Sequence, residues 1–548
     1  MTFRSILLAT AIAALAACAP AAPPGAPGND SIRAADLKAD LLFLASDALQ
    51  GRLIGTPGNM AAAEFVRMRF TRLGLEPGGP DGSYFQPYDL VTASLGDGNA
   101  LAVVDPRGRR RALRRGADFH PHRFSASAEG EGPAVFAGFG ITSPERGHDD
   151  LGGDAIKGAI VLVLDHEPGE SDPESPFDGV VRAEAANPLR KALFAQARGA
   201  AGLLVVRDVH NHDGEEDFAR AASGYWPESP SRLGQYTLGA WTNQIEIPVA
   251  QVSVATAEAL VAGAGRTLAE LAAASETPGG MSPAPLGDVR VSMKTDVVRQ
   301  VVPDRNVLAY IQGTDPRVQN ELVIVCAHYD HNGSVDDRVF NGADDDGSGT
   351  VGLLEIAEAY ARAAAEGRRP RRSVLFAAWN TEERGLLGAW AYAESPMRPL
   401  AETVAVLNMD MIGRNEEVPE GEGDSGRFRG LDEQTAASNA NAVNIIGTTR
   451  SDDLATAVTN ANGADGLELK FRYDNNTSNL MRRSDHWPFL QHGVPALWFH
   501  TGLHPDYHTE RDTPDRIEYG KMETIARLVH RLSWDLANAD GRPQLNPQ

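Results

Sequence analysis

From about residue 295 onward the chain repeats one unit: a short apolar run, a loop, then a stretch with helical spacing. The apolar runs are 306–311, 322–327, 373–379, 404–409 and 496–500, and the clearest helical stretches are 351–365 and 386–394. Alternation of this kind predicts an α/β fold, a mostly parallel mixed sheet flanked by helices. Such sheets carry their functional groups just beyond the carboxyl ends of their strands. At those ends stand His328-Tyr329-Asp330, the triplet Asp344-Asp345-Asp346 leading into a helix, the pair Glu382-Glu383, and Asp410. Later comes Tyr507-His508-Thr509.

Taken singly, each of these residues has an ordinary explanation. An Asp after a strand caps a turn, a lone His is structural, and a Glu-Glu pair is a solvated face. Together they would converge on one sheet edge, where buried carboxylates are costly without a cation. Two metal ions satisfy them all. Imidazole with carboxylate oxygen is a normal zinc donor set, and one carboxylate of the triplet has the chemistry to bridge two ions.

These stretches resemble the M28 family of di-zinc peptidases, which includes bacterial aminopeptidases. The resemblance covers 31–120 and 285–540. It implies His328 as a zinc ligand with Asp330 orienting its imidazole; two apart on a strand, the two side chains face the same way. It implies Asp345 as the bridging ligand, because the family's bridge lies three residues before Ser-Gly, with a cis peptide after it at Asp345–Asp346. It implies Glu382 as general base and Glu383, Asp410 and His508 as ligands. One zinc would take His328, Asp345 and Asp410, the other Asp345, Glu383 and His508. The implied activity is removal of N-terminal amino acids from peptides by a di-zinc-activated water, with Glu382 moving the proton. Three alternatives stay open: a carboxypeptidase of the same fold, a glutaminyl cyclase-like acyltransferase, and a non-catalytic binding protein. The segment Ser484-Asp485-His486 also resembles a family segment near the cleft, with no role assigned.

Between the two parts, residues 121–284 read as an inserted, smaller, β-rich α/β domain. Runs at 134–141, 159–164 and 202–206, with a helix at 189–198, resemble the protease-associated domain found in several peptidase families. His210-Asn211-His212-Asp213 in its acidic loop reads as solvated, because no spaced third ligand is evident. The basic run 107–115 reads as a solvated hairpin, and the acidic, Gly-rich segment 416–425 as an exposed loop. Helical spacing over 31–75, interrupted by turn-rich stretches at 46–52 and 55–58, has Gly74 as its stop.

The N-terminus has a positive Arg4 and an apolar run from Ile6 to Ala17, which reads as a signal peptide over 1–17. Leu15-Ala16-Ala17-Cys18 resembles the bacterial lipobox, so 18–30 becomes a lipidated tether and Cys18 the only expected membrane contact. That places the mature chain on the periplasmic face of the outer membrane, or free in the periplasm or medium. With Cys18 lipidated, Cys326 has no disulfide partner. A formal charge of −23 sets the chain against nucleic acid, leaving peptides as the expected partners.

Overall fold

The computed structural model describes residues 25–105, 107–212, 214, 217–229, 231–423 and 426–547. The signal-peptide and Cys18 expectations lie outside these residues. Among them, the larger sheet has ten strands. Its centre is four parallel strands in the order Ser373–Trp379, Leu322–His328, Thr403–Met409, Ala496–His500. All four coincide closely with the expected runs, and every residue in them is buried. Alternate residues of Leu322–His328 serve opposite faces: Leu322, Ile324 and Cys326 pack in one core, Val323, Val325 and Ala327 in another. The pleat requires this, and it explains an uninterrupted apolar run in a sheet covered on both sides.

Antiparallel strands extend the sheet. Val297–Ile311 pairs with Ser373–Trp379 on one side and with Phe85–Leu95 on the other, and Thr237–Leu238 closes that edge. The opposite edge is Ala442–Ile446 and Glu468–Lys470. One face is covered by the helices Ala34–Leu44, Pro57–Arg72, Gly349–Ala365 and Tyr519–Asn538. Pro57–Arg72 starts as its sequence dictates, with Pro57 in its first turn and the Thr56 hydroxyl accepting from Asn59 N.

The second sheet has eight strands, in the order Arg110–Ala112, Ala100–Val104, Ala284–Lys294, Glu129–Phe136, Ile160–Leu164, Gly202–Val206, Val249–Val252, Phe119–Pro121. Its four strands from Glu129–Phe136 to Val249–Val252 are parallel. Ala100–Val104, Arg110–Ala112 and nearly all of Ala284–Lys294 lie in the outer segments yet belong to this sheet. Ala284–Lys294 pairs with both Ala100–Val104 and Glu129–Phe136, so the second sheet draws on residues before 121 and after 284. The expected strand at 134–141 stops at Phe136, because Gly138 and Gly140 turn the chain through positive φ (50° and 69°).

Two further expectations change. The tether ends early: Ala26 and Asn29 are buried, and the Asn29 side chain lies 2.9 Å from His530 Nδ1 on the C-terminal helix. Gly28 makes this seat possible, since at φ +83° a Cβ there would lie 2.4 Å from the Ala359 carbonyl oxygen. In the segment expected as an exposed loop, Glu416 is buried and accepts from Asn444 Nδ2 (3.0 Å) and Tyr473 OH (2.6 Å).

The turn-rich stretch after Ala34–Leu44 holds a fully buried arginine. Arg52 donates to the carbonyls of Tyr329 (2.8 Å), Leu44 (2.9 Å), Asn341 (2.6 Å) and Gly342 (2.9 Å). A planar fork of donors pins three separate loops at one point, which an ammonium cannot do. Arg52→Met should therefore lower unfolding stability by about 3–5 kcal/mol, and Arg52→Lys should recover little of it, as read from the denaturation midpoints of the two variants.

Candidate metal centre

Each element of the parallel core delivers its last residue, or the loop after it, to one point. His328 ends Leu322–His328, Glu382 and Glu383 follow Ser373–Trp379, and Asp410 follows Thr403–Met409. Asp345 comes from the turn before Gly349–Ala365, and His508 from the loop before the C-terminal helix. All seven residues singled out in the sequence, Asp330 included, meet here.

Asp345 stands between two groups. Its Oδ1 lies 3.4 Å from His328 Nε2, while its Oδ2 lies 2.9 Å from His508 Nε2 and 3.9 Å from His331 Nδ1. On the first side, His328 Nε2 is also 3.7 Å from Asp410 Oδ1 and 3.7 Å from Glu382 Oε2. On the second, His508 Nε2 is 3.2 Å from Glu383 Oε2. The peptide between Asp345 and Asp346 is cis.

The other two members of the triplet face the protein. Asp344 Oδ1 accepts from Gly413 N (2.7 Å) and Ser348 Oγ (3.1 Å). Asp346 accepts from His328 N (3.0 Å), Gly349 N (2.9 Å) and Met411 N (3.2 Å). Asp330 accepts from the backbone of the Glu pair, at 3.0 Å from Glu382 N and 3.3 Å from Glu383 N. Its distance to His328 Nδ1 is 3.5 Å, longer than a normal hydrogen bond. Its firm grip is thus on the Glu382 loop, and its contact with the imidazole is the looser one. That loop is entered through Thr381 at φ +64°, a costly conformation for a β-branched residue. Thr381 Oγ1 and Asn380 Nδ2 both donate to Asp304, which holds it there.

The two adjacent glutamates have opposite electrostatics. Burial pushes the Glu382 carboxyl well above the usual range, and Asp410, Asp485 and Glu383 add to it against His328. Burial pushes Glu383 up too, but His508 and His331 outweigh it and hold the group low. Asp345 is likewise held low, its burial outweighed by His328 and His508.

Several participants were not evident in the sequence. His331 lies 2.6 Å from Glu383 Oε1, with Asn332 Nδ2 donating to the same oxygen at 2.9 Å. It follows the His-x-Asp motif by one residue, and its adjacency to that motif was the available signal. Ser484 Oγ donates to Asp410 Oδ2 and accepts from Asn408 Nδ2 (2.7 Å). Asp485 is fully buried without a hydrogen-bond partner on either oxygen, and burial raises its carboxyl.

The donor set fits zinc. Bonds of about 2.0–2.1 Å at the tetrahedral angle put neighbouring donors roughly 3.3 Å apart. The contacts from His328 and His508 to Asp345, Asp410 and Glu383, 2.9–3.7 Å, scatter about that spacing. His328 Nε2 is enclosed with no hydrogen bond of its own.

Comparison with known proteins agrees. The profile of peptidase family M28 matches residues 306–533. A probable glutamate carboxypeptidase of Arabidopsis thaliana is 26% identical over 490 residues, covering 84% of this chain and 61% of that protein. The mouse aminopeptidase NAALADL1 (Mus musculus) is 35% identical over 136 residues, 24% of this chain and 17% of that one. The chain thus spans about three fifths of the length of the first of these relatives. Among solved structures, the aminopeptidase from Aneurinibacillus sp. strain AM-1 aligns over 94% of this chain and 96% of its own at 17% identity, with a TM-score of 0.46. Residues 306–533 are therefore the part of the chain that is similar to peptidase family M28.

Proposed function

We propose that this chain is a zinc-dependent exopeptidase that removes N-terminal amino acids from peptides, using two zinc ions per chain. The observation that carries this is Asp345, whose two carboxylate oxygens each face a different imidazole-carboxylate group. One ion would be held by His328, Asp345 and Asp410, the other by Asp345, Glu383 and His508. When bound, zinc supplies Lewis acidity, acidifying water and polarising the scissile carbonyl.

The chain's own residues do the rest. Glu382, raised by burial and aimed at the His328 side, takes a proton from water and delivers it to the leaving amine. Asp330 fixes the backbone from which Glu382 projects. His331 and Asn332 occupy Oε1 of Glu383 and leave Oε2 turned toward His508. The cavity beside the site is lined by Asp345, Glu382, Asp410 and Arg483 together with Met411 and Leu480.

A carboxypeptidase is the second reading, and one residue favours it. Arg483 lines the same cavity, donating to Tyr507 OH at 3.1 Å, where it has the chemistry to pair with a substrate carboxylate. The relatives carry both names. The excess of buried carboxylates around Asp345 favours a cationic amine at the reacting end, so the aminopeptidase stands first.

The inserted unit is proposed as a protease-associated domain, on the strength of its parallel centre and its place in the chain. Export and lipidation at Cys18 remain proposals carried by residues 1–28 of the sequence; no helix among the described residues is long and apolar enough to cross a membrane.

Aminoacyl-p-nitroanilides should be cleaved and their N-acetylated forms left intact, with chelator abolishing turnover. Cleavage restricted to substrates with a free carboxylate would replace the aminopeptidase by the carboxypeptidase. Glu382→Gln should keep its zinc and lose about 10²–10⁴ in kcat, measured beside metal content by mass spectrometry.

A further inference from the structure

A second imidazole-carboxylate group lies in the smaller sheet, remote in sequence from the residues above. His166 follows strand Ile160–Leu164, and His212 lies in the loop after the neighbouring parallel strand Gly202–Val206. Glu170 stands between them. Its Oε2 is 2.5 Å from His166 Nδ1 and its Oε1 is 2.8 Å from His212 Nε2. The three ligand atoms lie within 4.8 Å of one another, and the two imidazole rings are 4.3 Å apart, centre to centre. His212 Nε2 is enclosed.

The group sits where a parallel sheet puts functional residues, beyond the carboxyl ends of adjacent strands. Its loops are held in place independently. Glu276 accepts from Gly169 N (2.8 Å) with one oxygen and from Asn211 Nδ2 (2.7 Å) with the other, tying the Glu170 turn to the His212 loop. Asn211 Nδ2 also donates to Asp208 (2.7 Å). Lys191 donates to the His166 carbonyl at 2.6 Å, and His166 itself adopts φ +63°. Strained backbone at a ligand-type residue, steadied from several sides, is a sign of a built site.

We propose that His166, Glu170 and His212 bind a zinc ion separate from the peptidase centre. Two imidazoles with one carboxylate select zinc over calcium or magnesium, which take oxygen donors. With three protein ligands the fourth position stays open, and His212 borders a groove shared with Arg114, Asp118 and Phe218 through which solvent reaches it. The ion joins two loops that share no covalent link, stapling the carboxyl edge of the smaller sheet. Asp165, beside His166, accepts from Arg182 (3.0 Å), whose carbonyl accepts from Arg482 (2.7 Å) next to the cavity residue Arg483. The staple therefore lies one short chain of contacts from the cleft.

This inference does not depend on the peptidase reading, and zinc counting tests it directly. Full-length protein is stripped with chelator, dialysed against zinc alone, and its metal counted by mass spectrometry. The double variant His166→Ala/His212→Ala should hold one zinc fewer per chain than the unmodified protein, whatever the total. Glu170→Gln, which preserves shape, should lose the same ion, and His210→Ala, outside the group, should lose none. In an Asp345→Asn/His508→Ala background, zinc should still raise the melting temperature, and adding His212→Ala should remove that rise. Equal zinc counts in all forms would overturn the site and leave a His-Glu-His ion triad. A shortfall shared by His210→Ala would equally overturn it, as collapse of the loop.

Discussion

Asp330, Asp345, Glu382, Glu383 and Asp410 are gathered in one buried space, and their mutual repulsion is the constraint to which the surrounding structure answers. Three kinds of positive charge are set against it. The imidazoles of His328, His331 and His508 stand among the oxygens. Backbone amides are spent on the carboxylates turned away from the centre, notably at Asp330, Asp344 and Asp346. Arg52 lies beneath, its charge felt by Asp345, Asp330 and Asp346. The unusual backbone at Thr381 and Met411 lies just past the strands that deliver these groups, and His508 adopts it within its own loop. Such geometry is tolerated because the sheet beneath is packed on both faces.

Much of this was legible in the sequence, for a physical reason. A central parallel strand is buried on both faces, so it writes itself as an unbroken apolar run, and the residue that ends the run is where polarity resumes. His328 and Asp410 are found that way, and the Glu382 pair nearly so. What was hidden has the opposite character. Arg52 works through carbonyls, which leave no trace in sequence, and sits in a stretch that reads only as turns. Glu416 looks like its acidic neighbours until Tyr473 and Arg472, more than fifty residues on, arrive to enclose it. His331 is masked by a stronger motif one residue earlier. The reach of the smaller sheet beyond 121–284 was hidden because Ala100–Val104 and Ala284–Lys294 are antiparallel partners whose pairing is decided at long range.

The two sheets solve a similar problem at different scales. In each, parallel strands deliver His and Glu to a common edge, and backbone or amide donors hold the loops that carry them. In the larger sheet the edge is deep and strongly acidic. In the smaller it is shallow, with His166, Glu170 and His212 all partly exposed.

The way the smaller unit is joined to the larger has a consequence for aggregation. Phe85–Leu95 and Val297–Ile311 pair to their very ends, Leu95 opposite Val297, so everything between them occupies the position of a hairpin tip. Closing that loop costs little however long it grows, because its ends already lie side by side. From within it the chain sends back Thr237–Leu238 to pair with Leu90 and Val91, and Trp241 to pack on Trp390. At Leu90 and Val91 the margin of Phe85–Leu95 is thereby closed to a passing strand. The insertion thus acts as a stitch on the sheet that hosts it, and a chain trimmed of residues 96–296 would present a raw edge there for self-association.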